Sequence, residues 1–221
     1  MAKIGVVIPI LINTNEQVSM TWKCIELARK KTKIPFELII VESGNSYFSD
    51  NCDIYVHEKE VTTPEISHNR GFRIAGANDF ICLLTNDVFV SDNWLEVLCD
   101  TFNHREDCGA ATLASTQFNH QKQDLIEEGN WWSVALIKKE IFQRVGYYDE
   151  RFINSWCDTD LLIRMYKHGY KMYRNYNCVV DHLRGRTVYD KPSFSQDYAN
   201  GQKLFQEKHD GCGLAVYEAY K

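Results

Sequence analysis

No apolar run in this sequence is long enough to cross a membrane. The longest, Ile4 to Ile12, is nine residues with Pro9 inside it, far short of the ~20 a spanning helix needs. No basic leader with a small-residue cleavage site accompanies it, which predicts a cytosolic protein. No Cys-x-x-Cys pair exists. The eight cysteines stand singly at Cys24, Cys52, Cys82, Cys99, Cys108, Cys157, Cys178 and Cys212, several within apolar runs, which argues against structural zinc and predicts reduced core thiols. No Gly-x-Gly-x-x-Gly follows the first apolar run and no Gly-x-x-x-x-Gly-Lys-Ser/Thr occurs anywhere, so dehydrogenase and P-loop ATPase readings lose most of their weight. Cationic excess is also absent: a net charge of -5 argues against broad nucleic-acid binding. No internal repeat or low-complexity linker interrupts the chain.

What is present fits one soluble domain. A chain of 221 residues buries a sizeable core without needing a second domain. Its 44% hydrophobic and 25% charged residues are ordinary, and its 12 Tyr, 11 Phe and 5 Trp supply aromatic surface. Ile4-Gly-Val-Val-Ile-Pro-Ile10 and Phe36-Glu-Leu-Ile-Ile-Val41 read as strands buried on both faces. A helix from Glu16 to Thr32 between them completes a βαβ unit. A short strand is expected from Asp53 to His57. Thr62-Thr-Pro-Glu65 then reads as a capping box opening a helix through Asn78. Phe80 to Leu84 is a further buried strand that breaks into Thr85-Asn86-Asp87 and resumes through Val90.

Acids thus arrive at strand ends: Glu42 after the second strand, Asp87 after the fourth. In open α/β sheets ligands bind beyond the carboxyl ends of the strands, which makes Asp87 a site candidate. An Asn-Asp turn between strands explains it equally well at this point. Downstream, the pattern predicts a helix over 92–103, a strand over 110–113, a mobile loop over 117–130, a strand over 131–137 and a helix over 138–145. A turn leads to a helix from Trp156 to Gly169 whose first turn carries Asp158 and Asp160, where helix-dipole complementation suffices to explain one of them. A strand from Cys178 to His182, the basic loop Arg184 to Thr187 and a helix between Ser195 and Lys208 finish the chain.

In this order the motifs resemble the family 2 glycosyltransferases of GT-A fold, over about Ile4 to Arg186. Val6-Val-Ile-Pro9 resembles the opening strand, Ile39-Ile-Val-Glu-Ser-Gly-Asn45 the acid-bearing second strand, and Asn69-Arg-Gly-Phe72 with Asn78 the Asn-x-Gly helix. Leu83-Leu-Thr-Asn-Asp87 stands where that family carries its DxD-type metal motif. Ile137 to Phe152 resembles the stretch ending in Gly-x-x-Asp-Glu-x-Phe. Trp156-Cys-Asp-Thr-Asp-Leu161 resembles the Glu-Asp-x-Asp-Leu helix, and Val179-Val-Asp-His182 the closing strand with a metal-binding histidine. Three departures stand out: Thr85 and Asn86 leave Asp87 as the only carboxylate of its motif, Cys157 replaces a usual glutamate beside Asp158, and Glu42 replaces a more usual aspartate.

The resemblance implies a single α/β, Rossmann-like domain with a mostly parallel sheet flanked by helices. A nucleotide-binding half would span about 1–90, an acceptor-binding half about 91–190, and a helical extension 191–221. It implies an inverting transferase using a nucleotide-diphosphate sugar, UDP-linked by family habit, with Mn2+ or Mg2+ held by Asp87 and His182 and Asp158 as general base. Pro9, Ile10, Glu42, Asn69, Arg73, Asn86 and Arg186 are the donor-binding candidates. Trp131, Trp132, Trp156 and Asp160 are the acceptor-side candidates, one tryptophan of the 131–132 pair being expected in the core. The acceptor can be a glycan, a protein side chain, a small metabolite or a modified nucleobase. Two alternatives remain: a sugar nucleotidyltransferase, whose glycine-rich basic motif is missing, and a non-catalytic glycan- or partner-binding module.

Overall fold

The computed structural model describes residues 2–116, 124–129, 132–183 and 193–209. The chain folds as β1 (Ile4–Leu11), α1 (Asn15–Lys30), β2 (Glu37–Ser43), β3 (Ile54–Glu58), α2 (Pro64–Ala75), β4 (Phe80–Leu84), β5 (Val88–Phe89), α3 (Trp94–His104) and β6 (Cys108–Ser115). There follow β7 (Ile126–Glu128), β8 (Val134–Lys138), α4 (Lys139–Val145), α5 (Cys157–Lys167), β9 (Lys171–His182) and α6 (Phe194–Lys208). A short 3-10 turn, Ser49–Asn51, precedes β3. The strands form one sheet in the order β3-β2-β1-β4-β8-β6-β9-β5, with β7 also on β9. β8, β5 and β7 run against the other six strands, so the sheet is mixed but mostly parallel.

Alternation along the strands sorts the core into two layers. Val6, Ile8, Leu38, Ile40, Cys82 and Leu84 pack with Cys24, Ile25 and Ala28 of α1 and Trp94, Leu95 and Leu98 of α3. Val7, Ile39, Val41, Ile81 and Leu83 pack on the other face with Phe72 of α2, Ile141 of α4 and Leu161 and Met165 of α5. Each such aliphatic side chain, fully withdrawn from water, contributes about 1.5–3 kcal/mol. This explains why β1 and β2 read as unbroken apolar runs: both faces are covered. Gly71 lets α2 lie directly on β1, since a Cβ there would stand 2.2 Å from Val7 Cγ1. Among the described residues no helix is long and apolar enough to cross a membrane, and seven cysteines are free thiols.

Several local expectations differ from the structure. The capping box lies on α1, where Thr14 and Gln17 exchange bonds, and not on α2. There Thr63 is the N-cap without a side-chain bond, because Thr62 donates its hydroxyl to Glu58 instead. The predicted loop over 117–130 contains β7, three residues held by the edge of β9; too few residues alternate there to register as a strand. β9 begins at Lys171, well before Cys178, because its first half alternates polar and buried residues instead of forming an apolar run. A satellite cluster of Phe152, Trp156, Ile163 and Phe205 fastens α6 to α5.

Candidate functional site

The parallel strands β3, β2, β1 and β4 all end on one edge of the sheet, and the candidate acids collect there. After Leu84 the chain turns through Thr85-Asn86-Asp87 into β5, which pairs antiparallel with β9 so that Val88 faces His182. That pairing sets the Asp87 carboxylate against the His182 imidazole, Oδ2 to Nε2 at 3.2 Å, with side chains 10% and 15% exposed. The Leu183 N–H donates to the Asp87 carbonyl at 3.0 Å and closes the corner. Asn86 and Thr85 face elsewhere. Asn86 Nδ2 donates to Thr21 Oγ1 of α1 at 2.9 Å, and the Thr85 hydroxyl donates to the Ser133 carbonyl at 3.2 Å. Both hold the corner in place. Among the described residues no group of three or more His, Cys, Asp or Glu side chains is arranged to hold a metal; Asp87 and His182 stand as a pair.

Along the same edge, Ile10 and Glu42 are register partners on β1 and β2. Glu42 is fully buried. Its carboxylate accepts from the N–H groups of Tyr47 and Phe48 and from the Tyr55 hydroxyl at 2.9 Å, so it shapes the loop after β2. Asn69 is also buried and committed: it donates to the Tyr148 carbonyl and Glu150 Oε1, both at 2.8 Å, and accepts the Tyr148 N–H at 2.9 Å. It clamps the turn before α5. Arg73 lies in the last turn of α2, beside Glu150 and over the Tyr147 ring. A helix that starts at the carboxyl edge and runs back to β4 carries its last turn to the opposite edge, which separates Arg73 from Asp87. Arg186 and Trp131 lie outside the described residues.

The α5 candidates divide. Trp156 precedes the helix with φ of 68°, a conformation that a bulky residue keeps only when its surroundings enforce it. α6 enforces it: the indole N–H donates to the Tyr198 carbonyl at 3.2 Å, the ring packs on Phe205 and Tyr198, and Gly201 leaves room, since a Cβ would stand 2.8 Å from Trp156 Cδ1. Trp156 is therefore an anchor for α6, not an open aromatic platform. Trp132 is likewise buried, in the cluster of Tyr148 and Leu161. Asp160 is 0% exposed. Its Oδ2 accepts from Arg164 at 2.8 Å, and its Oδ1 accepts from Lys208 at 2.7 Å and His209 at 2.9 Å. These bonds leave it no room to bind an acceptor.

Asp158 is different. It is half-buried, accepts from the backbone and hydroxyl of Thr159, and burial pushes its carboxyl above the usual range. Beside it lie the Cys157 thiol and the Tyr148 phenol, both pushed up by burial first, then by the Asp158 charge on Cys157 and by Cys157 and Asp158 on Tyr148. The remaining neighbour is Glu65, from the first turn of α2. Burial raises its carboxyl to about 7. Sequence reading placed Glu65 in a cap; its contact with Cys157 is long-range and has no local signal.

No protein-family model matches the sequence, and no curated protein matches it. Solved structures do match its fold. S. aureus TarS superposes with a TM-score of 0.64 at 9% identity, over 82% of this chain and 37% of that one. The structure of TarS 1–349 in complex with UDP gives 0.61 at 9%, over 81% and 60%. GalNAc-T7, solved with UDP, GalNAc and Mn2+, gives 0.71 at 10%, over 95% and 49%. This chain therefore spans between 37% and 60% of the length of those solved chains.

Proposed function

We propose that this chain, built on the GT-A glycosyltransferase fold that it shares with TarS and GalNAc-T7, is an inverting glycosyltransferase that takes a UDP-linked sugar and an acceptor hydroxyl. The observation that carries the reading is the Asp87–His182 pair, assembled at the sheet edge where open α/β folds bind their ligands. One carboxylate and one imidazole suit a divalent cation that keeps phosphate oxygens and waters as its other ligands, and the imidazole favours Mn2+ over Mg2+. Bound there, the cation supplies charge compensation for the departing diphosphate.

Asp158 supplies the base. As the acceptor oxygen bonds to the anomeric carbon, its proton passes to the Asp158 carboxylate and the diphosphate leaves with the electron pair of the broken bond, which inverts the carbon. A carboxyl raised by burial is a better proton acceptor than an ordinary aspartate. Ile10 and the loop shaped by Glu42 would flank the nucleoside, and the rigid α5–α6 contact would hold Asp158 in place.

A panel of UDP-sugars with Mn2+, read by thermal shift and by UDP release, tests the proposal. A ligand at 100 times its dissociation constant adds ~2.7 kcal/mol, so UDP with Mn2+ should raise the melting temperature by several degrees, and at least one donor should release UDP. Neither shift nor release with any donor contradicts it. The Thr85 hydroxyl is taken up by Ser133, which leaves Asp87 as the motif's only acid and favours a non-catalytic binding module as the second reading; UDP binding without release from any donor would select that reading.

A further inference from the structure

Most buried carboxylates in this fold are fully engaged. Glu58 accepts from Ser43, Thr62, Ser67 and Arg70, Glu42 from two backbone N–H groups and Tyr55, and Asp160 from two side-chain cations and His209. Glu65 is the exception. It is 2% exposed, yet its Oε2 has no hydrogen-bond partner, nor has the neighbouring Thr63 hydroxyl. A buried polar atom left without a partner is costly and calls for an explanation, a bound water or ligand among them; Cys157, the Thr63 hydroxyl and the Asn154 backbone are the groups beside the Glu65 carboxyl. Glu65 opens α2 immediately after β3, on the same edge as Asp87, and its carboxyl lies against Cys157, the residue that precedes Asp158.

We infer that Glu65 is an acceptor-positioning residue: its Oε2 takes a hydrogen bond from one hydroxyl of an uncharged polyhydroxyl acceptor while a neighbouring hydroxyl faces Asp158. The inference rests on the transferase reading. Chemistry selects the acceptor class. The ionisable groups at this corner among the described residues are Glu65, Asp158, Cys157, Tyr148 and Arg164, with the Thr63 hydroxyl and the Asn154 backbone beside Glu65. The thiol and the phenol are neutral there. The Arg164 guanidinium is turned to Asp160 and to the carbonyls of Val145, Gly146 and Tyr147. A hydroxyl donor satisfies two carboxyls in such a corner, whereas a phosphate or carboxylate on the acceptor would be repelled. With its carboxyl near 7, Glu65 changes charge in the neutral range, so positioning through it should be pH-dependent.

The full chain with Mn2+ and a UDP-sugar tests this by UDP release from pH 5.5 to 8.5, with methyl glucoside or glucose 6-phosphate as the added acceptor. Glu65→Gln is close in size and cannot ionise, so its melting temperature at pH 8 should equal or exceed that of the wild type. We expect Glu65→Gln to bind UDP as the wild type does, to release it about tenfold more slowly, and to lose the rate change near pH 7; methyl glucoside should raise wild-type release more than glucose 6-phosphate. Unchanged rate and pH profile in Glu65→Gln, or a stronger response to the sugar phosphate, overturns the inference while leaving the transferase reading intact. A wild type that neither binds UDP nor releases it overturns the transferase reading and this inference with it.

Discussion

Asp158 and Asp160 share the first turn of α5 and differ in almost everything that decides what a carboxylate does. Asp160 is fully buried against Arg164, Lys208 and His209, so its charge is compensated and its lone pairs are occupied. Asp158 accepts from its neighbour Thr159, with no counter-charge acting on it among the described residues, and is pushed toward the protonated form by burial. Two positions along a helix are 200° apart, so one acid turns to α6 and the other away from it. The number of counter-charges, more than burial alone, separates the compensated acid from the one whose proton affinity is raised.

The largest effect expected of a substitution at either acid is on rate. Asp158→Asn keeps size and polarity but accepts no proton, and should lower UDP release by ~10²–10⁴-fold with UDP affinity unchanged. A full-rate Asp158→Asn enzyme beside a folded but inactive Asp160→Asn enzyme would reverse the assignment. Asp160→Asn should instead act on stability. Removing one partner of a buried ionic cluster costs about 3–5 kcal/mol, or roughly 10 °C of melting temperature for a chain of this size, and calorimetric melts read it directly.

The next effect is pH-dependent. Burial, with Lys167 and Lys208 nearby, depresses the His209 pKa despite the bond to Asp160. The unfolded chain therefore takes up a proton near pH 6.5 that the folded site resists, and stability from this contact, present above about 6.5, is lost as the pH falls. Glu65 acts with the opposite sign: raised to about 7, it favours the folded state as pH falls toward ~4.5. Wild-type melts mix the two, so the check is a difference: His209→Gln should lose less stability than the wild type between pH 7 and 5.5, and Glu65→Gln should lose more. The smallest effect belongs to His182→Ala. It should weaken the Mn2+ response of UDP binding less than loss of Asp87 does, and shift the melting temperature by only about 2 °C. An unfolded variant would show that His182 is structural.

The fold was legible where both faces of a strand are buried, because β1, β2 and β4 then write themselves as apolar runs. Asp87 and His182 were nameable from the motif order, but only the β5–β9 pairing shows that they meet. Less legible were contacts made through space. Trp156 reads as an acceptor contact until α6 covers it, Asn69 as a ligand contact until Tyr148 takes its amide, and Glu65 as a cap until Cys157 is beside it. Arg73 illustrates a different limit: helical spacing gives its face but not which edge of the sheet its turn reaches.

On the proposed reading, the Asp87 corner holds a divalent cation together with a nucleoside diphosphate. Calorimetry of UDP with and without Mn2+, in the wild type and in Asp87→Ala, tests it most directly. Mn2+ should tighten UDP binding in the wild type, and this gain should be lost in Asp87→Ala, whose fold stays intact. Equal enhancement by Mn2+ in both proteins would contradict it.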